Sequence, residues 1–130
     1  MTVVLLRHAW AGHRDDWPGD DRLRPLDERG FAQAVVLRGI LVAHGVKHVV
    51  SSPYVRCTQT VAPLDLEIVP DDRLAEGATR DATLDLLRAL DDAVACTHGD
   101  IVEAVLGRSL EKGAAVVLDG LLEVEEIPAP

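Results

Sequence analysis

The run Val3-Val4-Leu5-Leu6 passes straight into Arg7-His8. Four consecutive apolar residues do not suit a half-exposed strand, whose side chains alternate between core and water. They suit a strand covered on both faces, the kind from which parallel sheets are built. Val46–Val50 repeats the pattern and leads into Ser51-Ser52-Pro53, and Ala93–Thr97 repeats it again before His98. A shorter strand is expected at Leu66–Val69. Between these runs the apolar spacing changes to that of helices. Asp27 is placed to cap a helix running to about His44, with Ala34, Leu37 and Leu41 on one face and Gly45 as its stop. Helices are also expected at 54–62, 83–90 and 101–106, and a terminal strand pair at 114–118 and 121–127 around Asp119-Gly120. Strands alternating with helices predict an α/β fold with a mainly parallel central sheet flanked by helices. The 130 residues suffice for one domain, expected to span residues 1–130.

Composition narrows the partners. Apolar residues make up 48% of the chain and charged residues 27%, which excludes a disordered segment. The net charge is −9, an argument against nucleic acid or an anionic membrane as the main partner. That charge is uneven, +2 over residues 1–60 and −11 over 61–130. Cys57 and Cys96 are too few for a disulfide framework and sit among apolar neighbours, as core thiols of a reducing compartment do. With no long apolar run and no signal-like start, a cytoplasmic protein is expected.

Ligands of open α/β sheets bind beyond the carboxyl ends of the strands. Three such ends carry reactive groups: Arg7-His8, then Ser51-Ser52-Pro53 leading to Arg56, then Thr97-His98-Gly99-Asp100. Taken singly, a histidine after a strand is commonly a hydrogen-bonded loop residue, and an arginine on a first helical turn commonly pairs with a carboxylate. If the three strands are parallel neighbours, however, two imidazoles and two guanidiniums converge, a set suited to a tetrahedral oxyanion such as phosphate. His13, His44 and His48 lack this placement and read as loop, helix C-terminus and strand residues.

In this setting Leu6-Arg7-His8-Ala9 resembles the Arg-His-Gly signature of the histidine phosphatase superfamily, the phosphoglycerate mutase-like proteins. Arg24-Pro25-Leu26-Asp27 with Gly30, Gln33 and Ala34 is similar to a stretch of its short bacterial members. Ser51-Ser52-Pro53, Arg56 and Gln59-Thr60 resemble its second motif, and His98-Gly99 its third. The likeness covers about residues 2 to 107. It is nearest to the short phosphohistidine phosphatases and to the phosphatase-like domains fused to actinobacterial Nudix hydrolases, although no Nudix box occurs here. Ala9 and Asp27 replace the family's usual Gly and Thr. The long loops of the sugar-phosphate mutases are absent, which points to a phosphatase.

The resemblance implies His8 as nucleophile, with Arg7, Arg56, His98 and Gly99 binding phosphate and no metal or other cofactor. Glu76 lies where many members place the catalytic acid; Asp100 is the alternative, and Asp15 and Asp16 are more distant ones. The expected partner is a phosphorylated substrate, either a protein phosphohistidine, a nucleotide or a small phosphoester. A non-catalytic phosphate-binding module of the same fold is the rival reading. Other phosphatase chemistries fit less well. The cysteine enzymes need Arg six positions after Cys, where this chain has Pro63 and Val102. Neither lysine has a P-loop context. Any metal held by His8, His13 and His98 would face two guanidiniums.

Overall fold

The computed structural model describes residues 1–130. Six strands form one sheet: β1 (Thr2–Arg7), β2 (His48–Ser51), β3 (Ile68–Pro70), β4 (Ala93–Thr97), β5 (Ala115–Asp119) and β6 (Leu122–Ile127). Their spatial order is β3-β2-β4-β1-β5-β6. The first four are parallel to one another, while β5 runs antiparallel to β1 and β6 to β5. The strands that end in Arg7, Ser51 and Thr97 are therefore direct neighbours, with Ser51 in register with Cys96 and Arg7 with Thr97.

The apolar runs are buried as their composition requires. Val4, Leu6, Val94 and Cys96 pack under α1 (Glu28–Ala43) and α2 (Val55–Val61). Their alternates Val3, Leu5 and Ala95 pack with residues of α3 (Arg80–Arg88) and α4 (Gly99–Leu106). The edge strand β6 exposes Glu123, Glu125 and Glu126, charges that discourage pairing with another sheet.

Asp27 caps α1 by accepting the Gly30 N–H at 2.8 Å. Gly45, at φ 76°, ends the helix in the left-handed conformation. Several boundaries differ from the sequence reading, among them the start of α4 at Gly99 rather than residue 101, and three have a visible cause. Helix α3 starts at Arg80 rather than Thr83, because the Thr79 side chain accepts the Ala82 N–H and opens the helix a turn earlier. Strand β2 begins at His48, since the Val46 N–H bonds back to Leu41 and belongs to the end of α1. Strand β3 is shifted to Ile68–Pro70 by its pairing with Val49–Ser51. No helix is long and apolar enough to cross a membrane.

Candidate active site

The segment leaving β1 is held from several sides. The His8 N–H donates to the Thr97 carbonyl, and the Gly113 N–H donates to the carbonyls of both Arg7 and His8. The Ala9 N–H donates to Thr60 Oγ1 and the Trp10 N–H to Gln33 Oε1. Gly30 lies against the Trp10 carbonyl, where a side-chain carbon would overlap it. Thus Gly30, Gln33 and Thr60 are clamps that fix the chain around His8.

His8 is buried beside the end of β4 and donates from Nδ1–H to the Ala9 carbonyl at 2.7 Å. A carbonyl can only accept, so the proton is on Nδ1 and the Nε2 lone pair is free. Burial pushes the imidazole pKa from 6.5 down to about 3, helped by the positive charges of His98, Arg56 and Arg7 and opposed by the Ala9 hydrogen bond. The ring of His98 stands edge-on to it with centroids 5.4 Å apart.

His98 stands at the N-cap position of α4, its side chain turned to other partners, and is 1% exposed. Its Nε2 meets Ser52 Oγ at 2.8 Å and lies 3.5 Å from Cys57 Sγ. Arg56, entirely buried on α2, donates to the Asp21 carbonyl at 2.7 Å, to Asp21 Oδ2 at 3.0 Å and to Glu76 Oε1 at 2.8 Å. Arg7 donates from Nη1 to the Leu110 carbonyl, and burial lowers its pKa. Its guanidinium lies against Gly99, where a Cβ would come within 2.8 Å of Cζ.

After these bonds, three buried side-chain nitrogens make no hydrogen bond within the protein: Arg7 Nε, Arg56 Nε and His98 Nδ1. An unmet buried donor typically costs about 1–3 kcal/mol, so their occurrence in one site calls for an acceptor.

Glu76 makes all its contacts through Oε1, to Arg14 and Arg56 at 2.8 Å and to His98 Nδ1 at 3.5 Å. Asp100 instead accepts the Gly77 N–H at 2.9 Å and so ties down the loop carrying Glu76. Asp15 and Asp16 lie exposed on a short 3-10 turn. A cleft of about 630 Å³ opens over His8, and none of its twelve lining residues is hydrophobic. His13, read from the sequence as a plain loop residue, lines it, as do Arg14, Arg24 and Lys112. Sequence reasoning also missed Asp21, which lies on a loop 35 residues from Arg56 and contacts Arg14, Arg24 and Arg56. No group of three His, Cys, Asp or Glu side chains is arranged to hold a metal ion.

The family model of the histidine phosphatase superfamily (branch 1) matches residues 3–86, from β1 into α3. The chain belongs to that superfamily. An 8-oxo-(d)GTP phosphatase of Mycolicibacterium smegmatis is 34% identical over 116 residues, covering 81% of this chain. The match takes in only 36% of that longer relative. Among solved structures, a protein histidine phosphatase SixA complexed with tungstate superposes with a TM-score of 0.80 at 19% identity, covering 98% of this chain and 97% of its own. A protein assigned as phosphohistidine phosphatase SixA in Agrobacterium tumefaciens gives a TM-score of 0.78 at 24% identity, covering 99% and 98%. At these identities the structural likeness establishes the fold alone, and both short neighbours match over nearly their full length.

Proposed function

We propose that this protein is a phosphatase that works through a phosphohistidine on His8 without a metal ion. The observation that carries the reading is the set of three buried nitrogens that lack a hydrogen bond, the guanidinium donors Arg7 Nε and Arg56 Nε with His98 Nδ1, beside an imidazole whose Nε2 is free. A phosphoryl group supplies the acceptor oxygens those donors lack, and the tungstate held by the SixA neighbour is a tetrahedral oxyanion of similar shape.

In the first step the Nε2 lone pair forms an N–P bond while the bond from phosphorus to the leaving atom breaks, an oxygen in a phosphoester or phosphoanhydride and a nitrogen in a phosphohistidine. That atom takes the electron pair and a proton from Glu76, whose Oε2 makes no hydrogen bond within the protein. In the second step water attacks phosphorus and gives its proton to Glu76. The P–N bond breaks with its electrons returning to Nε2, and inorganic phosphate leaves. Arg7, Arg56 and His98 stabilise the charge on the non-bridging oxygens in both steps; loss of one such donor typically costs about 10²-fold in rate. Asp100 positions the Glu76 loop, which favours Glu76 over Asp100 as the acid.

The substrate is a phosphorylated molecule. The SixA neighbours support a protein phosphohistidine, and the curated relative supports a nucleotide. A panel of phosphohistidine peptide, nucleoside mono- and diphosphates and phosphosugars separates these classes. Rapid quench with labelled substrate should trap an acid-labile, base-stable phosphoenzyme in the wild type and none in His8→Ala, and EDTA should leave turnover unchanged. Label on His98, or substantial activity in His8→Ala, overturns the nucleophile. Oxyanion binding with no turnover of any substrate would make the chain a phosphate-binding module.

A further inference from the structure

The cationic side chains around the cleft are unequally satisfied. Arg14 pairs with Asp21 and Glu76, Arg24 with Asp21, and Arg7 donates to a carbonyl. The Lys112 ammonium makes no hydrogen bond or ion pair, yet Lys112 lines both the main cleft and an adjoining one of about 320 Å³ that Arg7 also lines. Its ammonium sits 4.3 Å from the centroid of the Trp10 ring, and the Arg29 guanidinium sits 4.2 Å from the same centroid. Arg29 likewise has no carboxylate partner; Glu111, the one acidic side chain lining the adjoining cleft, pairs with neither, and the last residue, Pro130, lines that cleft as well.

Like charges gathered without a directly paired carboxylate repel. Partial burial lowers the Lys112 pKa, and the charges of Arg7, Arg24 and Arg29 lower it further, opposed by Asp27. The loop is nonetheless held in place. The Lys112 carbonyl accepts from Gln33 Nε2, and Gly113, at φ 88°, bonds the end of β1 with a geometry that a side chain would strain. The backbone that brings Lys112 to Arg7 is thus anchored to the chain that carries His8. A cation fixed beside other cations is stabilised when an anion arrives.

We propose that Lys112, with Arg29 across Trp10, forms a second anion subsite continuous with the phosphate pocket through Arg7, and that the substrate carries two adjacent phosphates. This rests on the phosphatase reading: the terminal phosphate meets His8, and the bridging oxygen leaves on the second phosphate, held at Lys112. The bond broken is a phosphoanhydride P–O bond, and the leaving group is a phosphate or phosphate monoester.

The test compares kcat/KM for inorganic pyrophosphate and a nucleoside diphosphate with that for p-nitrophenyl phosphate. In Lys112→Ala the diphosphate-to-aryl ratio should fall about tenfold or more, the equivalent of one charge-assisted contact, and Lys112→Arg should restore it. Arg29→Met should lower it less. Binding supplies a readout independent of turnover. With Trp17→Phe as background, Trp10 fluorescence should report methylenediphosphonate binding about tenfold weaker in Lys112→Ala, with tungstate binding changed much less. An unchanged ratio and unchanged methylenediphosphonate affinity overturn the subsite, as do equal losses for both substrates and both anions. If the wild type hydrolyses no phosphate at all while methylenediphosphonate binding still depends on Lys112, the phosphatase reading fails and the subsite stands.

Discussion

Charged groups are treated in opposite ways at the two margins of this sheet. Past β1, β2 and β4, Arg56 and His98 are almost wholly buried and keep donors without partners. Along the β5–β6 hairpin the charges are exposed and paired: Arg108 with Glu123 and Glu126, His44 with Glu125, and the N-terminus with Asp119. Exposed pairs contribute little to stability, whereas buried charges lacking part of their hydrogen bonding are costly. A chain tolerates that cost only where the arrangement serves something else, so the unmet donors locate the site more sharply than the number of ion pairs does.

The largest expected difference follows from breaking one arginine at each margin. Arg56→Met removes buried charge-assisted hydrogen bonds but leaves Asp21 and Glu76, both partly exposed, still paired with Arg14, so it should lower unfolding stability by about 1–3 kcal/mol. Arg108→Ala, which loses two exposed contacts, should stay under about 1 kcal/mol. Urea titrations of both variants check this. Similar losses would mean that Arg56 is far better solvated than its burial implies.

Next in size is Gly99→Ala. Replacing glycine in a helix ordinarily gains up to about 1 kcal/mol. Here the new Cβ would stand 2.8 Å from the Arg7 guanidinium carbon, so the arginine must move. Tungstate affinity should fall about tenfold, roughly one misplaced charge-assisted contact, with no gain in Tm. A higher Tm with unchanged affinity would show that Arg7 is not seated by Gly99.

These two experiments concern residues of unequal legibility. Arg7, His8, Arg56 and His98 could be picked out because strand ends in a parallel sheet share one rim, and apolar runs mark such strands clearly. The helix cap at Asp27 and the stop at Gly45 were equally readable, being local chemistry. The Thr79 cap is local too, yet the apolar pattern begins only at Thr83 and drew the boundary inward. Asp21, Arg24 and Lys112 were not legible as site residues. They come from loops whose path depends on contacts such as Gln33 with the Lys112 carbonyl, 79 residues apart, and no periodicity encodes that. Glu76 was placed by resemblance, and its hydrogen bonds to Arg14 and Arg56 became visible only in three dimensions.

The smallest effect sharpens the comparison through pH. His8 and His44 start from the same ordinary pKa of 6.5 and move apart, His8 down to about 3 by burial and His44 upward. The rise at His44 comes first from the Ile40 carbonyl at the end of α1 and then from Glu125 on β6. Stability therefore responds with opposite signs. The unfolded chain protonates His8 more readily than the native protein, so its contribution is present above pH 6.5 and is lost as pH falls toward 3. At His44 the native protein binds the proton more tightly, so its contribution is full below pH 6.5 and disappears as pH rises through the higher native pKa. Imidazole NMR between pH 4.5 and 8.5 should show His44 titrating and His8 remaining neutral with its proton on Nδ1. His44→Gln should then cost less than about 1 kcal/mol at pH 5.5, as expected of an exposed pair, and close to nothing at pH 8.5. A His8 that titrates near 6.5 would mean that water reaches Nε2 freely, and the contrast between a desolvated site and a solvated hairpin would not hold at the residue on which the chemistry depends.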